Sequence, residues 1–165
     1  MRLTKNFHLK EFTKSGTASR MGLDEQFDPS EIVVDNLTAL CENVLQPLRD
    51  SLKASIRIGS GYRCEALNKA IGGAKNSQHV KGQAADIDLI IGGKEDNGKL
   101  LNKIVSLYKK GIITFDQCIS EFGSEDNPSW IHISYSKVSN RGQVLRAEKI
   151  NGKTVYTDIT KKIGL

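Results

Sequence analysis

Ser77-Gln78-His79-Val80-Lys81-Gly82-Gln83-Ala84-Ala85-Asp86-Ile87-Asp88 is the stretch on which the reading of the fold turns. Its second half, continued to Ile90, is a strand signal bounded by Gly82 and by Gly92-Gly93. Asp86 falls inside that apolar run, beside Ala84, Ala85 and Ile87. A carboxylate there needs a partner, because a bare buried charge is costly. A metal ion, a turn to cap or a lysine would each serve. Only three histidines occur, His8, His79 and His132. His132 lies in a second strand-like run, Trp130-Ile131-His132-Ile133-Ser134-Tyr135, whose alternation puts Trp130, His132 and Ser134 on one face. In the run before it, Phe115 to Phe122, Gln117, Ile119 and Glu121 share a face. The turn-rich Gly123-Ser124-Glu125-Asp126-Asn127-Pro128-Ser129 between them predicts an antiparallel pair.

Upstream, Val33, Leu37, Leu40, Cys41, Val44, Leu48 and Leu52 recur at three- and four-residue steps, one apolar helix face. Asp28-Pro29-Ser30-Glu31 predicts its start, with Asp28 as cap. Pro47 predicts a kink or a separate last turn. Ala54 to Ser60 reads as a strand, and Cys64 to Ile71 as a short helix stopped by Gly72-Gly73. Asn97 to Lys110 carries Leu100, Leu101, Ile104, Val105 and Tyr108 at helical spacing. Asn151-Gly152 between β-type flanks predicts a tight hairpin. Helices come mostly first and strands later, which predicts an α+β fold.

The 165 residues suit one domain, 1–165. With 38% hydrophobic and 26% charged residues, the composition excludes a disordered or collagen-like chain. No run approaches the ~18 apolar residues of a membrane helix. The first residues, Met1 to Phe7, show no apolar signal core, so synthesis in the cytoplasm without a signal peptide is the expectation. Cys41, Cys64 and Cys118 lack metal-type spacing and read as reduced, structural residues. Seven basic residues against two acidic ones give Lys137–Leu165 the whole net charge of +5. That segment reads as a solvated basic face or as a surface for a polyanion. Aromatic residues are not interleaved with it as in single-strand readers, so nucleic acid is not an expected partner.

Two imidazoles and one carboxylate make an open zinc set with a fourth position for water. They also occur in iron oxygenases, usually with His and carboxylate two residues apart, whereas His79 and Asp86 are seven apart. Taken singly, each histidine also reads as a hydrogen-bonded core residue, Asp86 as a cap and Glu121 as a surface ion-pair residue.

Ser77-x-His79-x-x-Gly82-x-Ala84-x-Asp86 resembles the SxHxxGxAxD motif of the zinc D-Ala-D-Ala carboxypeptidase family. This is the peptidoglycan-cleaving LAS metallopeptidase group, which includes phage L-alanyl-D-glutamate endopeptidases and shares its fold with the Hedgehog signalling domain. Ser60-Gly61-Tyr62-Arg63, Leu67-Asn68-x-x-Ile71-Gly72-Gly73 and Trp130-Ile131-His132-Ile133-Ser134 extend the resemblance. So do Asn6-Phe7-x-Leu9-x-Glu11-Phe12 and Val44-Leu45-Gln46-Pro47-Leu48-Arg49, and together they cover about residues 1–140.

The resemblance implies a small antiparallel sheet carrying the zinc site, flanked by helices. It implies one Zn2+ held by His79, Asp86 and His132, with Arg63 holding or polarising substrate and Ser77 hydrogen-bonding it. Gly82 would make the turn between His79 and the Asp86 strand. Many members carry the catalytic acid three residues before the last histidine, where this chain has Ser129. Glu121 is the substitute, ahead of Glu125 and Asp126 in the loop. The implied function is hydrolysis of peptidoglycan stem peptides, of the D-Ala-D-Ala carboxypeptidase type, by a monomer. A phage-type L-alanyl-D-glutamate endopeptidase acting on the cell wall and a non-catalytic zinc-binding module are the alternatives.

Overall fold

Apolar side chains at three- and four-residue steps drive the long helical segment against the sheet, and that segment follows two short N-terminal helices. A computed structural model describes all residues, Met1–Leu165. Helices α1 (Leu9–Thr13) and α2 (Gly16–Met21) are too short for a periodic signal. Helix α3 (Glu31–Leu40) runs through a π-helical turn, Cys41–Leu45, into α4 (Gln46–Leu52). Leu37, Leu40, Cys41, Val44 and Leu48 are all fully buried, as their spacing predicts. Pro47 lies at the start of α4, where it cannot donate a helical hydrogen bond, and the wide π turn directly precedes it.

The predicted Asp28 cap is corrected. Ser30 is the last extended residue (φ −61°, ψ 158°) and the helix begins at Glu31. Pro29 and the extended Ser30 stay outside the helix, so its first N–H groups begin two residues beyond the point that Asp28 could cap.

The strands are β1 (Ile56–Ser60), β2 (Ala84–Ile91), the two-residue β3 (Lys94–Glu95), β4 (Gln117–Glu121), β5 (Trp130–Ser134), β6 (Gln143–Ile150) and β7 (Lys153–Asp158). Helix α5 (Glu65–Ala70) follows β1, and α6 (Asn97–Lys109) follows β3. The sheet order is β1-β2-β5-β4-β6-β7, with β3 paired to β2. All neighbours are antiparallel except β4 and β6. The fold is thus α+β, a seven-stranded sheet with flanking helices. β6 and β7 join through Asn151-Gly152, both at positive φ, as that dipeptide predicts.

Alternation gives the sheet two faces. Ala85, Ile87, Leu89, Ile131, Ile133 and Cys118 enter the core shared with α3, α4 and α6. Asp86, His132 and Glu121 occupy alternate positions on the same strands and therefore point to the other face. The three cysteines are free and buried, and burial pushes the Cys118 thiol up to about 12.

A buried asparagine fixes the β4–β5 loop. Asn97 Nδ2 donates to the carbonyls of Pro128 and Ser129 and to Asp88 Oδ1, and its Oδ1 accepts from Leu89 N. The basic C-terminal segment is partly paired with acids. Lys137, Arg141 and Lys162 reach Asp35, Asp116 and Glu125 elsewhere in the chain, and Arg146 pairs with Glu148.

Candidate metal centre

Strand register alone brings two of the three predicted groups together. Asp86 on β2 stands directly opposite His132 on β5, and His132 stands opposite Ile119 on β4. One step along, Trp130 is opposite Glu121. His79 arrives from the loop between α5 and β2. Gly82 turns that loop into β2 at φ 68°, and a Cβ there would lie 2.7 Å from the Val33 carbonyl oxygen. Only glycine meets both conditions. Gly61 is constrained as tightly, since its Cβ would lie 2.6 Å from the Phe12 Cα.

The Gly61 carbonyl orients the first imidazole. His79 Nδ1 lies 2.6 Å from that oxygen. A carbonyl only accepts, so Nδ1 carries the proton and Nε2 offers its lone pair. Nε2 lies 3.2 Å from His132 Nδ1 and 3.2 Å from Asp86 Oδ1, and the last two atoms are 3.0 Å apart. Ligand atoms bonded at ~2.0–2.1 Å to a tetrahedral zinc lie roughly 3.3 Å from one another. The three side chains therefore present lone pairs at the spacing of one face of such a site, and they can hold a metal ion.

Arg63 secures the other carboxylate oxygen. Its Nη2 donates to Asp86 Oδ2 at 2.7 Å and its Nε to Ser60 Oγ at 3.0 Å. Burial works against the Asp86 charge, but with the imidazoles protonated the hydrogen bonds and charges of His132 and His79 outweigh it and hold the carboxyl well below the usual carboxylate range. Ser77 Oγ accepts from His79 N at 3.3 Å.

These groups line one cavity of about 500 Å³, together with Gln78, Gln117, Glu121, Trp130, Arg141 and Tyr156. Glu121 is half-buried there. Burial pushes its carboxyl above the ordinary glutamate value, with the Asp86 charge adding and His132, Arg63 and Lys149 opposing. Glu125, Asp126 and Ser129 are exposed in the β4–β5 loop and do not line the cavity, and Glu125 pairs with Lys162.

A sequence model of peptidase M15 matches residues 5–134. The chain belongs to the peptidase M15 family. No curated protein matches it. Members of peptidase M15 are zinc-dependent metallopeptidases, and the His79–Asp86–His132 cluster is where this M15 peptidase can hold a metal ion. No helix of the peptidase is long and apolar enough to cross a membrane.

Two residues of the cavity, Arg141 and Tyr156, lie beyond the matched segment. The sequence carries no local signal for them. Tyr156 is brought in by two pairings in register, Glu121 with Ala147 across the parallel β4–β6 pair and Ala147 with Tyr156 across the hairpin. Burial raises the Tyr156 phenol, and the charges of Glu121 and Asp86 add to that.

Asp116, just before β4, is buried and accepts from Arg141 and from Gln78 Nε2. The Arg141 hydrogen bond is the main reason its carboxyl is held below the ordinary aspartate value, against burial. A depressed carboxylate contributes stability above its unfolded pKa of ~3.9 and loses it as pH falls through the lower folded value. Asp116→Asn is therefore expected to lower stability by roughly 2 kcal/mol at neutral pH. In urea titrations the gap to the unmodified protein should stay constant from pH 8 to about 5 and close below about pH 4. A gap that widens on acidification would contradict this assignment.

Proposed function

We propose that this M15 peptidase hydrolyses peptide bonds in bacterial peptidoglycan stem peptides. The D-Ala-D-Ala carboxypeptidase reaction is the first reading, and L-alanyl-D-glutamate endopeptidase cleavage is the second. The observation that carries the proposal is the convergence of His79 Nε2, Asp86 Oδ1 and His132 Nδ1 in a cavity that also holds Glu121. Zinc bound there supplies Lewis acidity, polarising a carbonyl and lowering the pKa of a water molecule toward ~7.

The chain's own groups do the rest. Glu121 takes the proton of the attacking water at its carboxylate and returns it to the departing amine. Burial raises its carboxyl above the ordinary glutamate value, which makes it a stronger proton acceptor than a solvated glutamate. Arg63 fixes the free oxygen of Asp86, so that the other oxygen keeps its direction. Its guanidinium also lines the cavity, where it meets the substrate's polarised carbonyl or carboxylate. The hydroxyl of Ser77, on the same wall, hydrogen-bonds the substrate. The whole chain is proposed as one catalytic domain acting on the cell wall as a monomer. The continuation of the family-matched sheet into β6 and β7 supports that reading. A usable acid in the cavity favours an enzyme over a non-catalytic zinc module.

Mass spectrometry of stem peptides ending in D-Ala-D-Ala, incubated with the protein with and without a zinc chelator, tests this. Loss of one D-Ala or scission between L-Ala and D-Glu is expected, abolished by chelator and restored by zinc. Intact peptides in the presence of zinc-loaded protein would refute the proposal.

A further inference from the structure

The family match ends at residue 134, yet the cavity does not. Arg141 closes one side of it, and its guanidinium is half used. Nε and Nη2 both donate to Asp116, and the Arg141 backbone N–H donates to the same carboxylate. A guanidinium presents its five N–H donors along two forks. The fork on Asp116 is filled; the opposite one, with Nη1, makes no hydrogen bond to the protein. Asp116 is almost fully buried, whereas the Arg141 side chain is 55% exposed. The buried acid thus holds an exposed cation in a fixed direction.

Position adds to this. Asp116 also accepts from Gln78, which lies between Ser77 and His79 and lines the same cavity. Gln117, opposite Gln143 at the start of β6, stands two residues, about 7 Å, along β4 from Ile119, the cross-strand neighbour of His132. Arg141 precedes Gln143 by two residues and lines the same cavity as the metal-binding cluster, so it can meet a substrate residue bound beside that cluster. It also lines a second cavity of about 570 Å³ with Gln143 and Lys161, so the groove continues past it.

We propose that Arg141, positioned by Asp116, is a carboxylate-binding subsite for the substrate residue whose amino group departs. The proposal rests on the stem-peptide reading above. Both scissile bonds considered there have such a residue: the terminal D-Ala carries a free carboxylate, and a γ-linked D-Glu carries a free α-carboxylate. A planar fork pairs with either one bidentately. One subsite from the C-terminal strands would thus serve both reactions.

The test compares kcat/KM for three synthetic stem peptides: the free acid, the terminal D-Ala carboxamide and the D-Glu α-carboxamide. The informative pair is the free acid and the amide at whichever residue supplies the departing amine. Zinc-loaded protein is expected to prefer the acid at least tenfold. Arg141→Met is expected to lose that preference through a fall on the acid alone, with the amide nearly unchanged. Because Arg141→Met leaves a buried acid unpaired, the double variant Arg141→Met/Asp116→Asn is measured beside it, with melting curves for both. A folded variant that keeps the acid preference overturns the subsite, as does unmodified protein with no preference. Zinc-loaded protein that cleaves none of the three peptides overturns the stem-peptide reading itself.

Discussion

Glu121→Gln is expected to bind zinc like the unmodified protein and to lose turnover by about 10³-fold, within the range that general acid–base groups contribute. The substitution keeps the shape and one oxygen, so neither the β4–β5 pairing nor the three metal-binding side chains should shift. What it removes is a group that can accept a proton and release it. Glu121 is the one acid that shares the cavity with the cluster without belonging to it. Its backbone is fixed twice over, opposite Trp130 on β5 and Ala147 on β6. A loss confined to kcat, with zinc content unchanged, identifies the proton carrier. Activity within a factor of a few of the unmodified protein would remove Glu121 from the mechanism.

His79→Ala and His132→Ala are expected to lose metal and activity together. Loss of a residue that only orients a metal ligand already costs ~10–100-fold in metal affinity, and loss of a ligand should exceed that. Stability gives a readout independent of turnover. A ligand at ~1,000 times its Kd adds about 4 kcal/mol to the folded state. Zinc titration should therefore raise the melting temperature of the unmodified protein and of Glu121→Gln, and should leave both alanine variants unmoved. Full zinc occupancy in either variant would count against the ligand set.

Much of this site is legible in the sequence, for a local reason. Asp86 and His132 each interrupt an apolar strand, and alternation puts each on the face away from the core. Glu121 follows from the same alternation on β4, and the Asn151-Gly152 hairpin from turn chemistry. Other features depend on distant parts of the chain. No local pattern announces that β6 pairs parallel to β4, and that pairing delivers Tyr156 to Glu121. Asp116 holds Arg141 across 25 residues. Asn97 ties down a loop whose carbonyls lie more than 30 residues away. The basic C-terminal run reads as a free charged face in sequence, yet three of its cations meet acids from outside the segment. The resemblance assigns Arg63 to the substrate, and the structure also gives it the free oxygen of Asp86.

Anomalous X-ray scattering at the zinc edge, from crystals of the zinc-loaded protein, tests the central claim most directly. A single strong peak is expected, bonded at ~2.0–2.2 Å to His79 Nε2, Asp86 Oδ1 and His132 Nδ1. No peak at that point, or a peak bonded to other side chains, would contradict the account.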